Sequence, residues 1–252
     1  MKWGFDKGIW DSFGAKYPLE YPFESYPHAL ICGCSGSGKS HSILYELSQF
    51  ISDSYNLGIK PIVYVCDFKN SEDFQFLKGY PLYYAGNECY EGMEEFYQQF
   101  TATRQKGIVD KEQRHLMVFD EYASAVSYYQ SQDKLTKGKR ASSLISMNAE
   151  MLMLSRSFNY GVWTCVQYGT SDLFHGARLN YMINLSLGRQ NKEQLNMLFS
   201  GEEIPQNRIY QPGEGLLLAD GFPLKEVKYP LVDMVQLKQF IRKMLFKAIC
   251  LT

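Results

Sequence analysis

The sequence predicts an α/β protein with a mainly parallel sheet covered by helices on both faces. Three observations carry that expectation. Short, almost wholly apolar runs recur along the chain, they alternate with stretches of helical spacing, and several end in glycine, an acid or glutamine. Strands without a polar face are buried on both sides, as in parallel sheets joined by helical crossovers. Ligands of such sheets bind beyond the carboxyl ends of the strands.

Taken in order, residues 1–28 are rich in Trp, Tyr, Phe and Pro, and Pro18, Pro22 and Pro27 oppose helix, so an extended lead-in packed across the core is expected. Ala29-Leu30-Ile31-Cys32 reads as the first buried strand. A helix follows from Lys39 to about Ser52, with Ile43, Leu47 and Phe50 on one face. The second strand, Ile62 to Cys66, ends at Asp67. Asn70 to Leu77 reads as a short helix, Leu82–Tyr84 as a small strand and Tyr90 to Lys106 as an amphipathic helix (Met93, Phe96, Tyr97, Phe100). Leu116 to Phe119 is the third strand, and a polar, basic insertion is expected over Gln130–Arg140. A helix from Ala141 to Phe158 precedes the fourth strand, Val162 to Val166, and Met182 to Leu187 is the fifth. A helix at Lys192–Phe199, a strand at Gly215–Ala219 and a C-terminal helix over residues 231–252 complete the pattern. With no repeat or low-complexity linker, a single domain over residues 1–252 is expected.

The chain of 252 residues is 45% hydrophobic and 21% charged, which fits a folded protein and excludes a disordered one. The net charge of −1 leaves nucleic acid open, because a local basic patch can sit on a neutral body. No run approaches the roughly 18 apolar residues needed to span a bilayer, so no direct membrane insertion is expected. Work at a membrane or secretion channel would need a partner protein. The six cysteines show neither a CxxC pair nor zinc-like spacing, which suggests free thiols and a cytoplasmic setting.

Gly33-Cys34-Ser35-Gly36-Ser37-Gly38-Lys39-Ser40 has the full P-loop spacing, directly after a strand and before a helix. Glycines allow the tight turn and bring backbone N–H groups to phosphates, and the helix N-terminus adds partial positive charge. The expected ligand is ATP with Mg²⁺. Lys39 would reach the β- and γ-phosphates, the Ser40 hydroxyl would ligate Mg²⁺, and His41 would close the nucleotide-binding segment. Asp120, ending an apolar strand, would hold the metal, usually through water, and Glu121 would act as general base on the attacking water. Gln167, ending the fourth strand, could contact both the γ-phosphate and that water, or merely cap backbone. Phosphoryl transfer gains roughly 10³–10⁵ in rate from an arginine supplied across a subunit interface. Arg156, Arg178 and Arg189 are the candidates, with Arg156 and Arg189 preferred. Lys134, Lys137, Lys139 and Arg140 form a basic stretch that could track a phosphate backbone or simply be solvated. The basic C-terminal helix reads as a packing or subunit-contact element.

The order of these motifs resembles the FtsK/HerA superfamily of DNA-pumping ATPases. Tyr26-Pro27-His28-Ala29-Leu30-Ile31-Cys32 leading into the glycine loop is similar to the family's start, and Lys7 to Gly14 to its lead-in. Val118-Phe119-Asp120-Glu121-Tyr122 resembles its hydrophobic-Asp-Glu step, and Ser155 to Gln167 the segment ending in its strand-end glutamine. Asn180 with residues 182–187, then Gly213-Glu214-Gly215-Leu216-Leu217, resemble its closing strands. The resemblance implies a RecA-like P-loop NTPase core, a homo-oligomeric ring (usually a hexamer) and ATP-driven movement of DNA. The Arg156 segment also resembles conjugative coupling proteins, and so stripped a motor would transfer or package DNA of a mobile element, plasmid or virus. Family members commonly carry an arginine near the start of the fifth strand, where this chain has Asn184. Two alternatives stay open: a motor of the same superfamily that moves protein in secretion, and a nucleotide-gated assembly protein with slow turnover. Glu121 as a base weighs against the second.

Overall fold

The computed structural model describes residues 1–206 and 208–250, without the Ser171 side chain. Ten strands form one sheet: β1 Lys2–Asp6, β2 Pro18–Glu20, β3 Ala29–Gly33, β4 Lys60–Asp67, β5 Tyr83–Ala85, β6 Gln113–Asp120, β7 Tyr160–Val166, β8 Ile183–Leu187, β9 Glu214–Ala219 and β10 Lys225–Lys228. Their order is β2-β1-β10-β9-β8-β3-β7-β6-β4-β5. From β8 to β5 the neighbours run parallel, and β9, β10, β1 and β2 continue the sheet antiparallel.

Among the described residues seven α-helices accompany the strands, the last of them after β10: α1 Lys7–Phe13, α2 Lys39–Asn56, α3 Cys89–Lys106, α4 Tyr122–Thr136, α5 Arg140–Leu154, α6 Lys192–Leu198 and α7 Met234–Cys250. The apolar stripe of α2 (Ile43, Leu47, Phe50) is fully buried against one face, together with Ile241 and Leu245 of α7. Met93, Phe96 and Phe100 of α3 bury the other face with Val126 of α4 and Leu144 of α5. Each such side chain contributes roughly 1.5–3 kcal/mol of burial free energy, so the two layers fix which strand ends lie side by side. No helix among the described residues is long and apolar enough to cross a membrane.

Four local readings differ. The lead-in buries its aromatic residues as expected, Trp3 packing edge-on at 5.2 Å from Trp163. It is not merely extended, however: Asp6 accepts from the Ile9 N–H at 3.0 Å and starts α1, which Gly14 ends in the left-handed conformation. Residues 70–77 hold only a single 3₁₀ turn, Gln75–Leu77, because the chain first folds into a tight turn at Asp67–Ser71. The expected basic insertion is helical. α4 runs through Lys134, Lys137 caps it in the left-handed region, and α5 begins at Arg140. Both oxygens of Asp133 cap α5, accepting the N–H groups of Arg140 and Ala141 at 3.0 and 2.9 Å, so the basic residues form an elbow between two helices. At the C-terminus the helix starts at Met234 rather than 231, and residues 251 and 252 lie outside the described chain.

β8 and β9 approach so closely that a Cβ at Gly215 would lie 1.8 Å from the Ser186 carbonyl oxygen. Gly215→Ala is therefore expected to destabilise the fold by about 2–3 kcal/mol. Thermal melting should show a midpoint lowered by about 5–10 °C, whereas an unchanged midpoint would mean that the strands separate freely there.

Candidate active site

The strand order sets the site. β3, β7, β6 and β4 are successive neighbours, so their carboxyl ends place the glycine loop, Gln167, Asp120-Glu121 and Asp67 along one edge. Gly36 and Gly38 take φ of 79° and 86°, which a side chain would strain. Gly33 has no room either, since a Cβ there would meet the Ser37 hydroxyl at 2.5 Å. Helix α2 starts on Gly38 with no side-chain cap, so its first N–H groups are open to an anion. The loop is braced from outside: the Gly213 N–H donates to the Ser37 carbonyl at 2.8 Å.

Inside, the buried Lys39 ammonium donates to Asp120 Oδ1 at 3.0 Å and to Glu121 Oε1 at 3.1 Å. Gln167 Nε2 donates to the same Glu121 oxygen at 2.9 Å, and the Ser124 hydroxyl to the other at 3.2 Å. Glu121 itself has φ 57°, a strained backbone for a residue with a side chain, because α4 begins immediately after β6. Burial disfavours the charged Lys39, but the Asp120 and Glu121 carboxylates outweigh it and its pKa is raised. Burial dominates at Asp120 and raises its pKa. At Glu121 burial is overcome by Lys39 and Gln167, and the carboxyl is lowered, so it stays ionised and able to accept a proton.

These groups open onto a cleft of about 260 Å³ lined by residues 34–36 and 38–41, with Glu121 and Gln167. The donor set fits ATP: the open backbone N–H groups of the helix start, the Ser40 hydroxyl and the Lys39 ammonium all border the cleft. Among the described residues no cluster of three His, Cys, Asp or Glu side chains could hold a metal alone. Mg²⁺ would thus rest on Ser40, Asp120 and the phosphates of its nucleotide. His41 lines the cleft, and its Nε2 lies 2.9 Å from the Pro230 carbonyl, so it also ties α2 to the segment before α7.

The arginines separate. Arg189 is exposed just beyond β8, and its carbonyl accepts from Cys34 Sγ at 3.6 Å. Its side chain lines a separate cavity of about 250 Å³ with Lys192 and Arg208 rather than the P-loop cleft. Arg156 stands before β7 at the amino-terminal edge of the sheet, the far end of that strand from Gln167. It cannot act in the cleft of its own chain. Arg178 is taken up by a hydrogen bond to the Met197 carbonyl. Lys134, Lys137, Lys139 and Arg140 lie at the elbow, one length of α4 from Glu121, about 22 Å for its 15 residues. None of them touches the nucleotide cleft.

Sequence reading missed two features of this edge. Gln194 on α6 clasps the segment after Gln167 through both its amide atoms, accepting from the Gly169 N–H at 2.9 Å and donating to its carbonyl at 2.7 Å. Asp67 ends β4 in register with Asp120, and burial pushes its carboxyl up to about 6. Asp67 carried the same signal as Asp120, an acid closing an apolar run; Gln194 gave none.

No protein-family model matches the sequence, and no curated protein matches it. Solved structures do. The EssC fragment holding ATPases 2 and 3 of Geobacillus thermodenitrificans superposes with a TM-score of 0.69 at 13% identity, covering 100% of this chain and 49% of the other. The pCW3 conjugation coupling protein TcpA, solved with ATPγS, gives 0.69 at 17% identity, covering 93% and 67%. The genome packaging NTPase B204 of Sulfolobus turreted icosahedral virus 2, also with ATPγS, gives 0.51 at 14%, covering 82% and 99%. The chain shares its fold with these proteins. In this shared fold the P-loop strand lies between the strands ending in Leu187 and Val166, with the Asp120 strand one further along. The chain spans about half the length of the EssC fragment.

Proposed function

We propose that this chain is an ATP-hydrolysing motor that assembles into a ring and moves DNA. One observation carries the hydrolytic part: Lys39, Asp120, Glu121 and Gln167 converge within hydrogen-bond reach at the end of an uncapped P-loop helix. Bound Mg²⁺ would neutralise charge on the phosphate oxygens. Glu121, held by Gln167 and Ser124, takes the proton of the attacking water, and Lys39 balances charge on the phosphates. An arginine of a neighbouring subunit would complete the site, and Arg156 and Arg189 are both exposed and so free for donation across an interface.

The DNA part is supported by the elbow. Lys134, Lys137 and Lys139 are exposed and form no ion pair among the described residues, while Arg140 pairs with Glu91 at 3.2 Å. ATP hydrolysis measured with and without single- and double-stranded DNA tests the proposal. Replacing Lys134, Lys137, Lys139 and Arg140 by alanine should leave basal turnover intact and sharply reduce DNA stimulation. Each lost phosphate contact flattens the log K against log salt slope by roughly 0.7–0.9. An ATPase indifferent to both DNA forms would instead favour a motor that moves protein.

A further inference from the structure

We propose that Lys69 is a second phosphate-binding cation of the cleft, selective for the triphosphate over the diphosphate, with Asp67 as its positioning residue. This rests on the nucleotide reading above. Lys69 lines the same cleft as Lys39, Glu121 and Gln167. It arrives from the opposite side to the P-loop. In the sheet order the P-loop strand β3 is followed by β7 and β6, which bring Gln167 and Glu121, and only then by β4, which carries Lys69 just beyond its end. Phosphates seated in the P-loop extend toward Glu121 with their terminal group. A cation reaching in from beyond β6 therefore meets that terminal group first.

Two further facts separate Lys69 from an ordinary surface lysine. Its ammonium has no hydrogen-bond or ion-pair partner among the described residues, although Asp73 lines the cleft beside it. Its backbone, in contrast, is fixed from several directions. Buried Asp67 accepts the Ser71 N–H at 2.8 Å and the Tyr83 hydroxyl at 3.2 Å through one oxygen, while its other oxygen is unpartnered. Asn70 closes the turn at φ 53°, its N–H donating to the Asp67 carbonyl at 3.1 Å. Phe68 donates its N–H to the Asp120 carbonyl at 3.4 Å, and its ring packs on Tyr128 and Tyr129 of α4. A free cation on an anchored turn is preorganised for an anion, because little backbone freedom is lost on binding.

The test is nucleotide affinity of the full chain with Mg²⁺, read by displacement of a fluorescent nucleotide with ATPγS or ADP. Wild-type binding of ATPγS upholds the nucleotide reading whatever the variants do. Lys69→Gln should weaken ATPγS about tenfold, the size of one charge-assisted hydrogen bond, and ADP less than twofold. Lys69→Arg should restore most of the loss. Asp67→Ala should show the same selective loss, with its ADP affinity reporting that the cleft is still folded. Equal weakening of both nucleotides in Lys69→Gln, or no weakening of either, would overturn the proposal, and a loss shared by ADP in Asp67→Ala would overturn the positioning role.

Discussion

Replacing Lys39 by alanine is expected to abolish ATP turnover. The ammonium is the group that reaches from the P-loop to the acid pair, 3.0 Å from Asp120 and 3.1 Å from Glu121. Removing it withdraws positive charge from the phosphates and leaves two buried carboxylates facing each other without a counter-ion. Interactions aimed at developing charge in a dry site are commonly worth roughly 10²–10³ in rate each, and here one residue also organises the base. A phosphate-release assay together with a melting curve separates lost chemistry from lost fold. Turnover at the wild-type rate in folded Lys39→Ala protein would remove the active-site assignment.

Glu121→Gln is expected to keep ATP bound and to slow its hydrolysis at least about 10²-fold, the usual scale of a general-base effect. Glutamine can still accept from Lys39 and Ser124, so the cleft keeps its shape while losing the proton acceptor. Binding of ATPγS and single-turnover hydrolysis measured on the same protein check both halves. If Glu121→Gln lost nucleotide while Asp120→Asn hydrolysed normally, the metal and base roles would be exchanged.

The parallel core, the P-loop and the Asp120-Glu121 step were legible because their signals are contiguous: an apolar run, then the chemistry, then a helix. Partner-dependent features were harder to read. β10 is only four polar-rich residues, Lys225–Lys228, and it is a strand because β9 and β1 flank it. At the elbow the charge of the basic insertion masks its helical pattern. Yet Tyr122, Ala125, Val126 and Tyr129 carry a buried helical stripe, and the charged residues are the solvated end of that helix. Arg156 lies just before a parallel strand and so at the edge opposite its own chain's cleft, which leaves it only a role across a subunit interface. Lys69 escaped notice because only the turn built by Asp67 brings it to the cleft.

Helix α4 starts at Glu121 without a linker and ends at the basic elbow. In the motor proposed above it would serve as a lever arm pivoting at Glu121. Over its length of about 22 Å, a tilt of about 10° displaces the far end by about 4 Å. That is close to the 3.4 Å rise of one nucleotide along a DNA strand. A ring of such subunits, moving DNA as proposed above, would need no large domain motion to advance its cargo: a tilt of this one helix would match a step of a single base.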